Sequence, residues 1–195
     1  MKNSLNFLKI LKNGGVGVIP TDTIYGLVAC AMSPNAVERI YEIKGRNYLK
    51  PFIILISSIN DLKKFRVKIT KNQKNILKKI WPNKISVILP VNGSKLFYLH
   101  RGTNSIAFRY PKNKNLLNII KKVGPIVAPS ANPEGKAPAR NIKEARKYFE
   151  KKVDFFIGNK NIESLASTIV KLDGEKFKIL RDGGVKINKK YLTLV

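Results

Sequence analysis

The chain of 195 residues is poor in the side chains on which much enzyme chemistry depends. It has one cysteine, Cys30, which excludes a disulfide framework and any multi-cysteine metal site and fits a reducing compartment. It has one histidine, His100, so a Ser-His-Asp triad would rest on a single residue set in a polar loop beside Tyr98, Arg101 and Gly102. Acidic residues number 12 against 38 basic ones. No acidic pair stands at metal-ligand spacing, and any Mg²⁺ is expected to arrive on substrate phosphates. No run of 18 apolar residues exists to span a membrane, and the N-terminus lacks the apolar core and cleavage site of a secretory signal. Walker-type phosphate loops, internal repeats and low-complexity linkers are also missing.

What is abundant is positive charge, a formal +26. Such a balance attracts polyanions. However, 30 of the 38 cations are lysine, and asparagine (19) and isoleucine (24) are raised alongside them. That pattern reads as a drift in composition that spreads charge everywhere, and it permits nucleic-acid contact without demonstrating it.

The apolar periodicity alternates between helix and strand. Leu5, Leu8 and Leu11 lie on one helical face, and Gly14-Gly15 closes that helix. Val16–Ile19 is a short β-branched run bounded by Gly and Pro, hence a buried strand. Ser33-Pro34 opens a helix with Ala36, Ile40 and Ile43 on one face and Lys44 at its end. Phe52–Ile56 reads as a strand buried on both faces. Thr70 caps a helix carrying Ile76, Leu77, Ile80 and Trp81. Strands follow at Ile85–Leu89 and Ser105–Arg109, separated by a polar loop from Asn92 to Asn104. A helix over Leu116–Val123 precedes a strand at Ile126–Ala128, and Asn141 caps a helix with Ala145, Tyr148 and Phe149. Phe155–Ile157, Ser167–Leu172 and Phe177–Leu180 complete the set. The expectation is one α/β domain over 1–195, a twisted mixed sheet with flanking helices.

Three segments offer chemistry. Pro20-Thr21-Asp22-Thr23-Ile24-Tyr25-Gly26-Leu27 follows a strand directly and presents hydroxyls at its carboxyl end, where α/β sheets bind ligands; the same residues also make an ordinary turn. Lys44-Gly45-Arg46, with Lys50-Pro51 beyond, pairs a mobile point charge with a planar fork able to converge on phosphate oxygens; it also suits a basic helix terminus. Pro129-Ser130-Ala131-Asn132, at a strand end ahead of Gly135 and Arg140, offers hydroxyl, amide and backbone N–H groups to an anion, or simply leads to the Asn141 cap. Arg109, Ser167-Thr168 and Arg181 are weak signals alone, and an arginine at a strand end commonly snorkels. Cys30 reads as core packing. The set consists of donors and cations without an evident proton acceptor, a profile for anion binding and phosphoryl-type charge stabilisation.

Taken in order, PTDTIYGL, KGR with its following KP, Trp81-Pro82, IAFRYP around Arg109, PSAN, STIV from Ser167 and ILRDGG around Arg181 resemble the YrdC-like family of threonylcarbamoyl-adenylate synthases in its short form. The resemblance implies a fold with a concave, basic groove and a cytoplasmic enzyme. It further implies the substrates ATP, L-threonine and bicarbonate or CO₂, with Mg²⁺ carried by ATP. The products would be threonylcarbamoyl-AMP and pyrophosphate, the former feeding a downstream transferase machinery that modifies ANN-decoding tRNA. Carried over by position, it implies catalytic roles for Lys44 and Arg46, ATP contacts from Lys44, Arg46, Ser130, Asn132 and Arg181, and threonine contacts from Thr21, Arg109 and Ser167. No protein metal ligand is implied. The chain departs from the family's pattern at Asn83-Lys84, where Gly-Pro is usual, at Val28-Ala29-Cys30, and at Glu134, where a serine is usual. It ends 14 residues after Arg181, so the further domain of the long form is not expected. Two other readings stand beside this one: a basic tRNA-binding module without chemistry, which lacks an interleaved aromatic stripe, and the related domain of a hydrogenase-maturation protein, whose acylphosphatase-like and zinc segments are missing.

Overall fold

A computed structural model describes residues 2–91, 93–188 and 191. Nine strands form one mixed sheet in the order β7-β1-β2-β6-β3-β5-β4-β8-β9. They are β1 (Gly17–Pro20), β2 (Tyr25–Cys30), β3 (Ile54–Leu55), β4 (Ile85–Pro90), β5 (Ser105–Arg109), β6 (Ile126–Val127), β7 (Phe155–Phe156), β8 (Thr168–Asp173) and β9 (Lys176–Arg181). Pairings β1–β7, β3–β5 and β4–β8 are parallel, and the others antiparallel. Helices α1 (Lys2–Lys12), α2 (Pro34–Lys44), α3 (Lys71–Ile80), α4 (Phe97–His100), α5 (Lys114–Val123) and α6 (Ile142–Phe149) flank it. Among the described residues, no helix is long and apolar enough to cross a membrane.

The two faces of the sheet follow from its period of two. Val18, Leu27, Ile54 and Val127 join one core with Ile40, Leu77, Phe108 and Phe149. Their neighbours Ile19, Val28, Leu55 and Ile126 point the other way and pack with Phe7 and Leu11 of α1 and with Leu116 and Ile120 of α5. Central strands covered on both sides explain the unbroken apolar runs at 16–19 and 52–56.

Several local expectations hold. Thr70 forms a capping box with Gln73, and Asn141 accepts from the Glu144 amide. Others shift. Ser33 occupies the N-cap position of α2, but its side chain makes no cap hydrogen bond. Helix α5 starts at Lys114, two residues early, because the Asn113 side chain accepts from the Leu116 amide. The run at 52–56 pairs as a strand only at Ile54–Leu55. β2 was not expected, since Gly26 and the small residues after it hide its strand character; a tight return at Thr21–Ile24 makes β1 and β2 a hairpin, with Pro20 opposite Tyr25. The loop expected from 92 to 104 contains the short α4; Asn92 and the Leu5 side chain lie outside the described residues.

Candidate functional site

One row of paired residues builds the site. Arg109 on β5 stands opposite Ser86 on β4, Ser86 opposite Ile169 on β8, and Ile169 opposite Arg181 on β9. Directly paired residues project from the same face, so two arginines from the far ends of this row, three strand spacings or roughly 14 Å apart, reach over one surface. Alternate residues on β5 (Ser105 and Ala107) and on β4 (Ile88) line the same surface, whereas Phe108 and Val87 enter the core behind.

Two cavities share this surface and a common wall of Ile53, Pro129, Ser130 and Arg181. The larger, about 350 Å³, adds Arg46, Pro51, Phe52, Thr103 and Ser105. The smaller, about 170 Å³, adds Thr21, Thr23, Arg109 and Ser167. Neither lining includes a carboxylate, while three arginines contribute to the pair. Among the described residues no cluster of three or more His, Cys, Asp or Glu side chains stands ready for a metal ion.

The hairpin turn supplies the hydroxyl wall of the smaller cavity. Thr21 Oγ1 donates to the Ile24 carbonyl at 2.6 Å and accepts from the amides of Thr23 and Ile24. Its hydroxyl therefore shapes the turn, and Thr23 Oγ1 stands beside it at 3.1 Å. Gly26 brings this hairpin against Pro129-Ser130: a Cβ there would lie 3.3 Å from the Pro129 carbonyl oxygen, and Gly26 bridges to Ser130. The segment's position after β1 thus predicts this wall, in which Thr23 stands as well as the expected Thr21; the i, i+2 spacing of the two threonines is the only trace of Thr23 in the sequence.

Arg109 does not snorkel. It is 3% exposed and its Nη2 donates to Asp22 Oδ1 at 3.0 Å. Burial presses its guanidinium below the ordinary value while the Asp22 carboxylate offsets that. Arg109 Nε and Asp22 Oδ2 are buried without partners. Ser167, equally buried, contacts Ser86 Oγ at 2.9 Å, and its carbonyl accepts from Arg181 Nη2 at 2.7 Å. Asp22 could not be singled out in sequence, because its partner lies 87 positions away.

Lys44 and Asn132 line neither cavity. Lys44 is 3% exposed at the end of α2, and its Nζ donates to the carbonyls of Ser130 and Asn132 beneath the Pro129–Asn132 loop. Burial first, then Arg46, lowers its pKa to about 7, with Glu134 opposing. Asn132 Nδ2 donates to the carbonyls of Pro133 and Lys136, so this side chain folds the turn. Gly45, at φ 58° in the left-handed region, ends α2 and redirects the chain. Arg46 thereby reaches the larger cavity, its Nε donating to the Lys50 carbonyl at 3.2 Å.

His100 is buried, and its Nδ1 accepts from the Gly102 amide, a turn-stabilising role away from the cavity linings. Cys30 is half-buried and directs its thiol at the Val123 carbonyl. At the turn after Trp81, whose bond to Pro82 is cis, Asn83 Oδ1 accepts from the Lys84 amide and Lys84 Nζ reaches Ser164 Oγ.

Residues 9–183 match the Sua5, YciO and YrdC family model, described as telomere recombination. A threonylcarbamoyl-AMP synthase of Pyrococcus abyssi is 31% identical over 92% of this chain and 53% of its own length. A putative threonylcarbamoyl-AMP synthase of Methanocaldococcus jannaschii is 30% identical over 96% of this chain and 89% of its own. Among solved structures, P. abyssi Sua5 complexed with L-threonine superposes with a TM-score of 0.84 at 30% identity, covering 92% of this chain and 53% of that one. Escherichia coli YciO shares the fold, with a TM-score of 0.83 at 22% identity over 98% of this chain and 93% of its own. The chain spans about half the length of the P. abyssi relative and of a similar Bacillus subtilis one.

Proposed function

The chain belongs to the Sua5, YciO and YrdC family, and on that premise we propose that it makes L-threonylcarbamoyl-AMP from ATP, L-threonine and bicarbonate or CO₂, releasing pyrophosphate. The observation that carries this reading is the pair of cavities meeting at Ser130 and Arg181. The smaller offers a buried arginine and clustered hydroxyls, suited to an amino acid's carboxylate and its side-chain hydroxyl. The larger offers apolar walls for a base and Arg46 for phosphates. Reactants held in adjoining cavities meet at the shared wall.

The chemistry asks for little beyond this. Threonine's amine adds to CO₂, losing a proton, and the carbamate oxygen so formed attacks the α-phosphorus as pyrophosphate leaves. The nucleophilic oxygen is already anionic, so orientation and charge stabilisation suffice and no dedicated base is required. Arg46 and Arg181 stabilise phosphate charge, Ser130 binds at the junction, and Arg109 with Ser167 and Thr23 holds threonine. Lys44 and Asn132 act from behind these contacts, by fixing the loop that carries Ser130, while Thr21 both fixes its turn and lines the threonine cavity beside Thr23. Mg²⁺ travels on the ATP phosphates, since the cavity linings add no carboxylate of their own. The product is a mixed anhydride suited to acyl transfer, and we place its consumption with a tRNA-modifying transferase in the cytoplasm.

A plain RNA-binding module has no use for a buried Arg109, held by Asp22 behind it, in the wall of a small cavity. The deciding assay is pyrophosphate release from Mg-ATP with labelled bicarbonate, with and without L-threonine. Threonine-dependent release with label in an adenylate is expected. Absence of release, together with salt-sensitive tRNA binding, overturns the enzyme reading in favour of the binding module.

A further inference from the structure

Glu134 stands where two functional loops meet, and none of the roles above uses it. It follows the Pro129–Asn132 segment in the chain and faces the loop of residues 45–51 that carries Arg46. One carboxylate oxygen, Oε2, accepts from the Asn47 amide at 2.8 Å, and the other, Oε1, accepts from Lys50 Nζ at 2.8 Å. Its own amide donates to the Lys44 carbonyl at 2.8 Å. The two loops are therefore joined at two levels. In the interior Lys44 Nζ holds the carbonyls of Ser130 and Asn132, and at the surface the Glu134 carboxylate holds Asn47 and Lys50.

The loop has reason to need the second level. Gly45 takes it out of the helical ladder of α2, Leu49 projects outward, 71% exposed, and Tyr48, 49% exposed, rests one ring face on Tyr41 with centroids 5.2 Å apart. Yet Arg46, Pro51 and Phe52 form one wall of the larger cavity. Besides Glu134, the loop is held by the Tyr41 hydroxyl on the Lys50 carbonyl, by the Arg46 Nε on that same carbonyl, by the Arg46 amide on the Tyr41 carbonyl and the Lys50 amide on the Asn47 carbonyl, by the Asn47 side chain on the Leu49 amide, by the Tyr48 ring against Tyr41 and Arg101, and by Arg46 over the Phe52 ring. Of all these, only Glu134 ties it to the Ser130 loop. A carboxylate near an anion site ordinarily weakens it. Here both oxygens are engaged by the loop, and Glu134 is absent from the lining of either cavity. Hydrogen bonds of this kind, a carboxylate on a backbone amide and on an ammonium, are the stronger sort.

We propose that Glu134 is a positioning residue, a carboxylate latch that clamps the Arg46 loop onto the Ser130 loop and so sets Arg46 for the phosphates of the nucleotide. This inference rests on reading the larger cavity as the nucleotide site. The carboxylate recruits the neighbouring loop, and Lys50 neutralises it.

The test compares wild type with Glu134→Ala, Glu134→Gln and the double variant Glu134→Ala/Lys50→Ala in steady-state kinetics with ATP varied, and in amide hydrogen exchange over residues 46–51. For Glu134→Ala the KM for ATP is expected to rise about five-fold or more with kcat within about two-fold of wild type, the signature of lost binding rather than lost chemistry. Exchange at the Asn47 amide is expected to quicken at least about ten-fold while the amides of β4 and β8 stay protected. Glu134→Gln, which keeps an acceptor for Asn47, is expected to fall between, and the double variant to match Glu134→Ala. An unchanged or lower KM with unchanged exchange overturns the latch and makes Glu134 a repelling surface charge. Should wild type show no threonine-dependent turnover, the functional reading falls, and the exchange data still decide whether Glu134 holds the loop.

Discussion

Removing the carboxylate of Asp22 leaves the Arg109 guanidinium charged, nearly fully buried and without its counterion, since the two side chains are only 4% and 6% exposed. Breaking a buried pair from one side costs about 3–5 kcal/mol, because the orphaned charge must be carried in a poorly solvating interior. For a domain of this size that corresponds to a fall in Tm of about 6–20 °C. Asp22→Ala is therefore expected to unfold that much earlier by differential scanning calorimetry, and to lose most threonine-dependent pyrophosphate release. The double variant Asp22→Ala/Arg109→Met removes both charges and fills the space with an apolar chain. It is expected to recover most of the lost stability while remaining inactive, because a pair replaced by packed apolar groups is frequently neutral to folding. This combination separates the two roles: the pair is a burden on stability that is kept for its arginine. An Asp22→Ala protein within about 1 kcal/mol of wild type, or a double variant no more stable than the single one, would refute the claim that Asp22 is the counterion of a buried binding group.

Lys44→Ala and Arg46→Ala are each expected to lower adenylate formation at least about ten-fold, measured as pyrophosphate release; unaltered turnover in folded variants would remove both from the site. The buried Lys44, with its pKa lowered to about 7 against an unfolded value near 10.4, binds fewer protons in the folded chain than in the unfolded one between those limits. Stability is thus expected to rise as pH climbs from about 7 towards 10. Guanidinium titrations at pH 7 and 9.5 should show this gain, and Lys44→Met should abolish it. Gly45→Ala places a side chain at φ 58° with open space around it, so its cost is conformational alone, about 1 kcal/mol. Thermal unfolding reads that cost, and a stabilised variant would mean that the end of α2 is not held left-handed.

Strand and helix positions were legible because apolar period and end signals agree. The run at Ile85–Leu89 sits between a helix capped by Thr70 and a polar loop, and pairs from Ile85 to Pro90. β2 was not legible for a local reason. Tyr25-Gly26-Leu27-Val28-Ala29-Cys30 has small residues where β-branched ones would announce a strand, and Gly26 is small because the hairpin lies tight on Pro129. In the site, types of residue were legible and their duties were not. Lys44 and Arg46, two apart around a glycine, look like a converging pair. Yet the left-handed turn at Gly45 sends one inward to backbone carbonyls and the other outward to the cavity. Nothing in the spacing of Thr21 reveals that its hydroxyl also holds the turn, or that Thr23 lines the same cavity beside it.

The sheet register shows why these residues stand so far apart in the chain. Arg109 and Arg181 both reach one small volume from backbones roughly three strand spacings apart, with Ser86 and Ile169 between, and there Arg181 still repels the Arg109 guanidinium. Asp22, from the hairpin, then cancels the charge of the buried member alone. Arg181, exposed and bound to the Ser167 carbonyl, keeps a charge that water can solvate until a ligand arrives. A carboxylate entering the smaller cavity meets Arg109, already compensated by Asp22, which offers its hydrogen-bonding fork, and Arg181 in the shared wall, which supplies the uncompensated charge. A triphosphate in the larger cavity meets Arg46 and Arg181 with no carboxylate in the lining. On the proposed assignment, the amino-acid cavity and the phosphate cavity share Arg181 and differ in their second arginine, Arg109 neutralised by Asp22 in one and Arg46 in the other, a difference set by which arginine the β1–β2 turn can reach.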